Sequence, residues 1–229
     1  MLVSRLRGIR APRGVPDADW SRVLVLGSAN YVADWWAKHG EGYQDWTVLA
    51  INNAWAVPGA DRIDLWARSK HFWRLGRVQP PSKVHKKAIY IQSPPQARID
   101  IPWRTAGGGT MFVSVLWRVL AEAEKRGVKT MVSVAGSDFD YRGAKTQTHF
   151  YGGGKMTART RDLIRRTAPS WAEGKAADPL RFGLEWLRNC LGDVHTSFGE
   201  GGHKIYNVGE HHPSELPFPR VDPATEPRS

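Results

Sequence analysis

The chain has 229 residues, of which 41% are hydrophobic and 11 are tryptophans, so it carries enough apolar material for one folded α/β domain and is not a disordered chain. Its 33 Lys and Arg residues against 22 Asp and Glu give a net charge of +11, which favours a polyanion or a small anionic ligand as partner. No apolar run approaches the roughly 18 residues of a membrane span, and the single cysteine, Cys190, excludes a disulfide framework, so we expect a soluble, cytoplasmic protein without a membrane span.

The predicted secondary structure alternates strands with helices along the chain. Residues 1–20 are basic, then rich in Pro, Gly and Asp, and are predicted to form a loose arm or a strap over the domain. Short apolar runs predict strands at residues 22–27, 47–52, 62–67, 87–92, 129–136 and 204–209. Apolar residues at helical spacing predict helices from Ala29 to a stop at Gly40, from Thr110 to a stop at Gly127, and through Leu180, Leu184, Leu187 and Leu191.

This order predicts an α/β fold: a single Rossmann-like domain over residues 21–220, with a mostly parallel sheet flanked by helices and an irregular tail at 221–229. In such sheets ligands bind at the carboxyl ends of the strands. Four polar segments follow predicted strands, namely GSAN (27–30), INNAW (51–55), GSDFD (136–140) and NVGEHH (207–212). We therefore expect these segments to lie together at one edge of the sheet and to form the ligand site.

Two common nucleotide motifs are excluded by their missing residues. The segment GSANYV lacks the second and third glycines of a dinucleotide fingerprint, and no acidic residue ends the second strand, so NAD or FAD binding is not expected. The segment GGGKMT (152–157) has no Ser or Thr directly after its lysine, so an ATP-hydrolysing phosphate loop is not expected either.

Other segments suit an anion without matching a known motif. Gly108, Gly109 and Thr110 precede a predicted helix, where exposed amides bind phosphate or carboxylate, although a glycine-rich turn alone explains them equally well. Asn52 and Asn53 offer hydrogen bonds to a base, ribose or phosphate, whereas a turn at the strand end is the structural alternative.

The loop at residues 136–155 contains the residues with the most chemistry. Asp138 and Asp140 form a D-x-D pair that suits Mg²⁺ or Mn²⁺ on a sugar-nucleotide diphosphate, although this spacing also arises by chance. His149 is a candidate general base, with a structural hydrogen bond as the alternative. Residues 138–155 are predicted to close over the ligand as a lid. The other histidines lack regular zinc-ligand spacing; those considered are His195, His203, His211 and His212.

Several blocks taken together resemble one family. They are, in order, LVLGSAN, INNAW, GGGTMFVSVLWRVLAEAEKRGVKTMVSVAGSDFD, THFYGG and KIYNVGEHHPSELPFPR. This order resembles the small Rossmann-like proteins, frequent in phage genomes, that are related to bacterial CMP-sialyltransferases and to the archaeal pterin pyrophosphokinase-like group. The similarity spans roughly residues 22–220 and consists of short motifs. The chain departs from the pattern in its first loop, GSANY, and in GGGT, which replaces a serine-led turn.

The resemblance implies roles for particular residues. The implied nucleotide site consists of Gly27, Ser28, Asn30, Asn52, Asn53, Gly108, Gly109, Thr110, Gly136 and Tyr141. His149 is implied as the base that deprotonates the acceptor hydroxyl, and Tyr141 or Tyr151 as the residue that steadies the leaving phosphate. The matching G-x-D-F strand end adds Asp138 to His149 and Tyr151 as the implied catalytic residues.

Two classes of function remain open from the sequence. The first is a nucleotide-sugar-dependent glycosyltransferase whose acceptor is hydroxymethylated DNA or a saccharide, with a sugar nucleotide as donor and Mg²⁺ or Mn²⁺ as the candidate ion. The second is a nucleotide-binding protein of pyrophosphokinase-like or nucleic-acid-binding accessory type that transfers no sugar. No tightly bound cofactor is expected in either case, and the sequence does not name the oligomeric state.

Overall fold

The computed structural model of the chain describes residues 17–29, 31–59, 61–68, 81–90, 111–138, 184–210, 214 and 216–225. Within them, six strands form one sheet in which every neighbouring pair is parallel, in the order β4-β3-β2-β1-β5-β6. The strands are β1 (Arg22–Leu26), β2 (Thr47–Ile51), β3 (Leu65–Arg68), β4 (Ala88–Tyr90), β5 (Met131–Ala135) and β6 (Lys204–Asn207). The predicted α/β class with a parallel Rossmann-like sheet is thereby confirmed.

Helices cover both faces of this sheet. The described helices are α1 (Val32–His39), α2 (Ser82–Lys86), α3 (Met111–Arg126) and α4 (Leu184–Glu200), with 3-10 turns at Gly40–Tyr43 and Asn52–Ala56. Apolar residues of α1 and α2 pack with one face of the strands, and those of α3 and α4 pack with the other face. The strands β2 and β5 are buried along their whole length, which is why their sequences are mostly apolar and do not alternate between apolar and polar residues.

The edge of the sheet at β3 and β4 differs most from the prediction. The third strand is predicted over 62–67 but begins at Leu65, because Asp64 still belongs to the preceding turn, where its carboxylate accepts a hydrogen bond from the Val48 amide at 2.8 Å. The fourth strand is predicted over 87–92, and the structure describes a strand over Ala88–Tyr90. The short helix α2 is not predicted, since the apolar periodicity of so few residues gives no signal.

Two long helices end at glycines that adopt left-handed backbone angles. Gly127 has φ 67°, and the amides of Gly127 and Val128 donate to the carbonyls of Glu124 and Ala123, which is the Schellman arrangement. Gly202, with φ 68°, ends α4 in the same way. The predicted stop at Gly127 is confirmed.

Segments at both ends of the domain pack onto the sheet. Trp20, which the sequence places in the arm, is 1% exposed and lies in the core beside β1. Near the other end, the Asn207 amide donates to the Pro219 carbonyl at 2.9 Å, and the Val221 amide donates to the Asn207 carbonyl at 3.1 Å. These bonds cover part of the edge that β6 would otherwise expose.

Candidate functional site

The strand order reverses between β1 and β5, and this point defines the candidate site. From β1 the chain runs to β2, β3 and β4 on one side, while β5 and β6 lie on the other side. Ligands of open α/β sheets bind in the crevice outside the carboxyl ends of the strands at such a reversal. Gly27 and Ser28 follow β1 here, and Gly136, Ser137 and Asp138 follow β5.

Gly27 and Gly136 bring the two loops into direct backbone contact. The Gly27 amide donates to the Ala135 carbonyl at 2.8 Å, and the Ala29 amide donates to the Gly136 carbonyl at 3.1 Å. A Cβ on Gly27 would come closer than 3.0 Å to the Gly136 carbonyl oxygen, and Gly136 has φ 76°. Both positions therefore require glycine for the fold itself, whether or not a ligand also approaches the backbone there.

Asp138 is buried directly beyond β5, where it is bound by Tyr31. Asp138 is only 3% exposed, and its Oδ2 accepts a short hydrogen bond from the Tyr31 hydroxyl. The Tyr31 oxygen in turn accepts a hydrogen bond from the Gly136 amide at 3.0 Å. Burial, and then the charge of Asp138, raise the pKa of the Tyr31 hydroxyl well above its ordinary value, so it remains a donor.

The segment after β6 closes the same cluster from a third side. A Cβ on Gly209 would lie within 3.0 Å of the Tyr31 hydroxyl oxygen and 3.3 Å from Oδ1 of Asp138. Asn207 holds this turn through its Oδ1, which accepts the Gly209 amide at 3.0 Å. Arg220 donates to the Gly209 carbonyl. The carboxyl ends of β1, β5 and β6 thus converge on one buried carboxylate.

Asn52 lies at the same edge, directly after β2, and has an unusual backbone conformation. Its φ is 53°, which no other non-glycine residue in the described part of the chain shares. The indole Nε1 of Trp66 donates to the Asn52 carbonyl at 2.6 Å and holds this conformation. Asparagine tolerates the left-handed region better than most residues, and backbone strain of this kind clusters at ligand sites. Asn53 follows within the 3-10 turn.

Tyr31 and Arg68 belong to this edge and were missed by sequence reasoning. Tyr31 directly follows the segment GSAN. A tyrosine at the start of a helix gives no sequence signal that its hydroxyl contacts Asp138, which follows β5. Arg68 ends β3 and is 2% exposed, with its guanidinium 5.1 Å from the centre of the Trp66 ring. An arginine directly after the predicted strand at 62–67 could have been noted as a buried charge.

The remaining predicted site residues lie outside the described part of the chain. They are Asn30, Gly108, Gly109, Thr110, Asp140, Tyr141, His149 and Tyr151, together with the proposed lid beyond Asp138. Of the D-x-D pair, the structure therefore describes Asp138 alone. Its Oδ2 is engaged by Tyr31, and the described residues contain no group of three His, Cys, Asp or Glu side chains suited to a metal ion. The Asp138 environment fits a hydrogen-bonded carboxylate better than a metal ligand.

Two of the described histidines, His195 and His203, make contacts within the protein. The ring of His203 accepts the Thr130 amide through Nδ1 at 3.1 Å and contacts Oε1 of Glu124 through Nε2 at 2.6 Å. Because Nδ1 is an acceptor, the ring proton lies on Nε2 and is donated to Glu124. This arrangement precedes β5 and β6, at the opposite end of the strands from Asp138. His195 packs edge-on against Phe218.

This edge of the sheet offers a ligand the amide side chain of Asn52 and the positive charge of Arg68, whereas the backbone amides of Gly27, Ala29 and Gly136 already donate to acceptors within the protein. None of the described helices combines the length and the apolar character needed to cross a bilayer. No family model, curated protein or solved structure matched the chain.

Proposed function

We propose that this protein is a nucleotide-sugar-dependent glycosyltransferase that binds its donor across the carboxyl ends of β1, β2 and β5. The observation that carries the proposal is the contact of Gly27 with Gly136 at the reversal of strand order, with Asn52 held at φ 53° at the end of the neighbouring strand β2. Sugar nucleotides are anionic, and a chain of net charge +11 attracts such ligands.

The proposal assigns a part to each group. The segment after β1 contributes Ser28 to the phosphate site, since the Gly27 and Ala29 amides donate within the protein, and the Asn52 side-chain amide orients the phosphate or the ribose. Asp138, whose carboxylate is held by Tyr31, lies at the centre of the proposed site and accepts hydrogen bonds from hydroxyl groups of the sugar nucleotide.

His149 is proposed as the general base of the transfer step. It removes the proton from an acceptor hydroxyl while that oxygen forms a bond to the anomeric carbon of the donor sugar. The bond from this carbon to the phosphate oxygen breaks, and the nucleotide leaves with the bonding electrons. The acceptor hydroxyl belongs to a hydroxymethylated base of DNA or to a saccharide.

A nucleotide-binding protein without sugar transfer is the second candidate. The observation in its favour is the environment of Asp138, whose carboxylate is buried and bound by Tyr31 as in a structural role. Such a protein would use the same loops to bind a nucleotide and would have no group near an anomeric carbon.

The two candidates are separated by one experiment. The chain is incubated with a panel of sugar nucleotides and with hydroxymethylated DNA or oligosaccharides, and products are detected by mass spectrometry. If sugar is transferred, His149→Ala should lower turnover about 10²- to 10⁴-fold with donor affinity within about threefold of wild type. His195→Ala, a histidine on α4, serves as the matched control and should retain turnover.

The outcomes point in different directions. Nucleotide binding without any glycosylated product supports the second candidate. Full turnover by a folded His149→Ala variant removes His149 as the base. Absence of binding to every nucleotide tested ends both proposals.

A further inference from the structure

Arg68 introduces a permanent positive charge at the ligand edge of the sheet. Arg68 is the last residue of β3 and is 2% exposed. It lies at the edge of the sheet where Gly27, Asn52 and Asp138 also lie. An arginine does not give up its proton at any ordinary pH, so this charge stays in the interior despite the cost of removing it from water. An anion bound at this edge would gain from it.

Arg68 is also held in a defined orientation next to Asn52. Its guanidinium lies 5.1 Å from the centre of the Trp66 ring, and the Trp66 indole donates to the Asn52 carbonyl at 2.6 Å. The strand register aligns Ile51 with Ala67, which directly precede Asn52 and Arg68, on strands spaced about 4.8 Å apart. One tryptophan thus positions both the strained asparagine and the charged fork.

We propose that Arg68 binds phosphoryl oxygens of the nucleotide ligand. A guanidinium has five N–H donors in a planar fork, so it can keep contacts within the protein and still bind two oxygens of a phosphate. Stacking on Trp66 limits the rotation of the side chain and so lowers the entropy lost on binding. This inference rests on the proposed nucleotide site and extends it along the sheet edge from β1, past β2, to β3.

The chain contains a matched control for this arginine. Arg62 lies with its guanidinium 5.9 Å from the centre of the Trp36 ring, so it too is an arginine beside a tryptophan. It precedes β3, however, whereas Arg68 ends that strand. If loss of any arginine–tryptophan contact weakened ligand binding, removing either arginine would have the same effect. If Arg68 binds the ligand directly, only its removal should weaken binding.

The test measures binding by titration calorimetry for wild type, Arg68→Met and Arg62→Met. The probes are inorganic pyrophosphate and the uridine and cytidine series with no, one or two 5′-phosphates. We expect Arg68→Met to weaken binding of pyrophosphate and of the diphosphates about 10- to 100-fold, because hydrogen bonds to charged groups are lost. Binding of the unphosphorylated nucleosides should change less than about twofold, and Arg62→Met should match wild type.

Three results would overturn the proposal: equal phosphate affinities in wild type and Arg68→Met, an equal loss in Arg62→Met, or no pyrophosphate binding by wild type. If Arg68→Met does not fold, Arg68→Lys decides, since it keeps the charge and loses the fork. We then expect a loss of about 3- to 10-fold for phosphorylated probes only, and unchanged affinity would refute the proposal.

Failure here is distinguishable from failure of the proposed function. Arg68-dependent pyrophosphate binding by a chain that transfers no sugar upholds the role of Arg68 and ends the glycosyltransferase proposal. Sugar transfer by the protein, with unchanged donor affinity in Arg68→Met, upholds the glycosyltransferase proposal and ends the role of Arg68.

Discussion

The hydroxyl of Tyr31 donates a hydrogen bond to the buried carboxylate of Asp138, which lies 107 residues later in the chain. The same hydroxyl accepts the Gly136 amide, so one tyrosine connects the start of α1 to the loop after β5. This contact joins the two sides of the reversal in strand order, and it makes Tyr31 the residue whose loss should most directly disturb the candidate site.

Tyr31→Phe should lower the free energy of unfolding by about 1.5–3 kcal/mol, because a buried carboxylate loses a donor while the ring packing is kept. Urea unfolding followed by circular dichroism measures the change. Tyr206→Phe, at a half-buried tyrosine on β6, is the control and should change stability by less than about 0.5 kcal/mol. Equal stability of the two variants would show that the Tyr31 bond has no net effect.

The contribution of Tyr31 to the free energy of unfolding should also fall at alkaline pH. Burial raises the pKa of its hydroxyl above the ordinary 10.0, so the unfolded chain releases this proton at a lower pH than the folded chain does. The stability that this group contributes is therefore complete below about pH 10 and is lost as the pH rises further. The difference in unfolding free energy between wild type and Tyr31→Phe should shrink above about pH 10, and a constant difference would contradict this.

Gly27→Ala should destabilise the fold, since its Cβ would overlap the Gly136 carbonyl oxygen and the Ser137 hydroxyl. Overpacking of this kind costs about 1–3 kcal/mol, and nucleotide affinity should fall with it. Gly192→Ala on α4 is the matched substitution, because a Cβ there meets nothing within 4 Å. It should stabilise the chain by about 0.5–1 kcal/mol, as alanine favours a helix more than glycine does. Thermal unfolding of both variants checks the opposite signs.

Substitutions at Asn52 separate the backbone from the side chain. Asn52→Gly fits φ 53° and should keep wild-type stability, whereas Asn52→Ala should lose about 1 kcal/mol because alanine is strained in the left-handed region. If the side chain binds the nucleotide, both variants should lose affinity about 10-fold in calorimetry. Unchanged affinity in Asn52→Gly would assign Asn52 a role in the backbone alone.

Nucleic-acid binding, if the acceptor is DNA, should weaken steeply with salt. The net charge of +11 suits phosphate contacts, and each such contact contributes about −0.9 to the slope of log affinity against log salt concentration. Fluorescence anisotropy of a labelled duplex between about 50 and 200 mM salt measures this slope. A flat dependence, or no binding at low salt, points to a saccharide acceptor instead.

The strands and the long helix were predictable because their signals are local. The runs that become β1, β2 and β5 are mostly apolar, since a central parallel strand is covered on both faces, and their predicted bounds agree with the observed ones within two residues. Helix α3 shows the helical period and ends at the predicted Gly127. The β3 strand was shifted because Asp64, inside the predicted run, belongs to a turn that contacts β2.

The polar loops after the strands were likewise predictable as a group, because parallel strands end at one edge. Which side chains meet there depended on strand order, which no local pattern encodes. With β5 beside β1, Asp138 comes within reach of Tyr31, and Gly209 is brought against both through β6. With β3 beside β2, Trp66 reaches Asn52 and Arg68 becomes its neighbour. The residue types came from the sequence, and their contacts came from the pairing of strands that lie far apart along the chain.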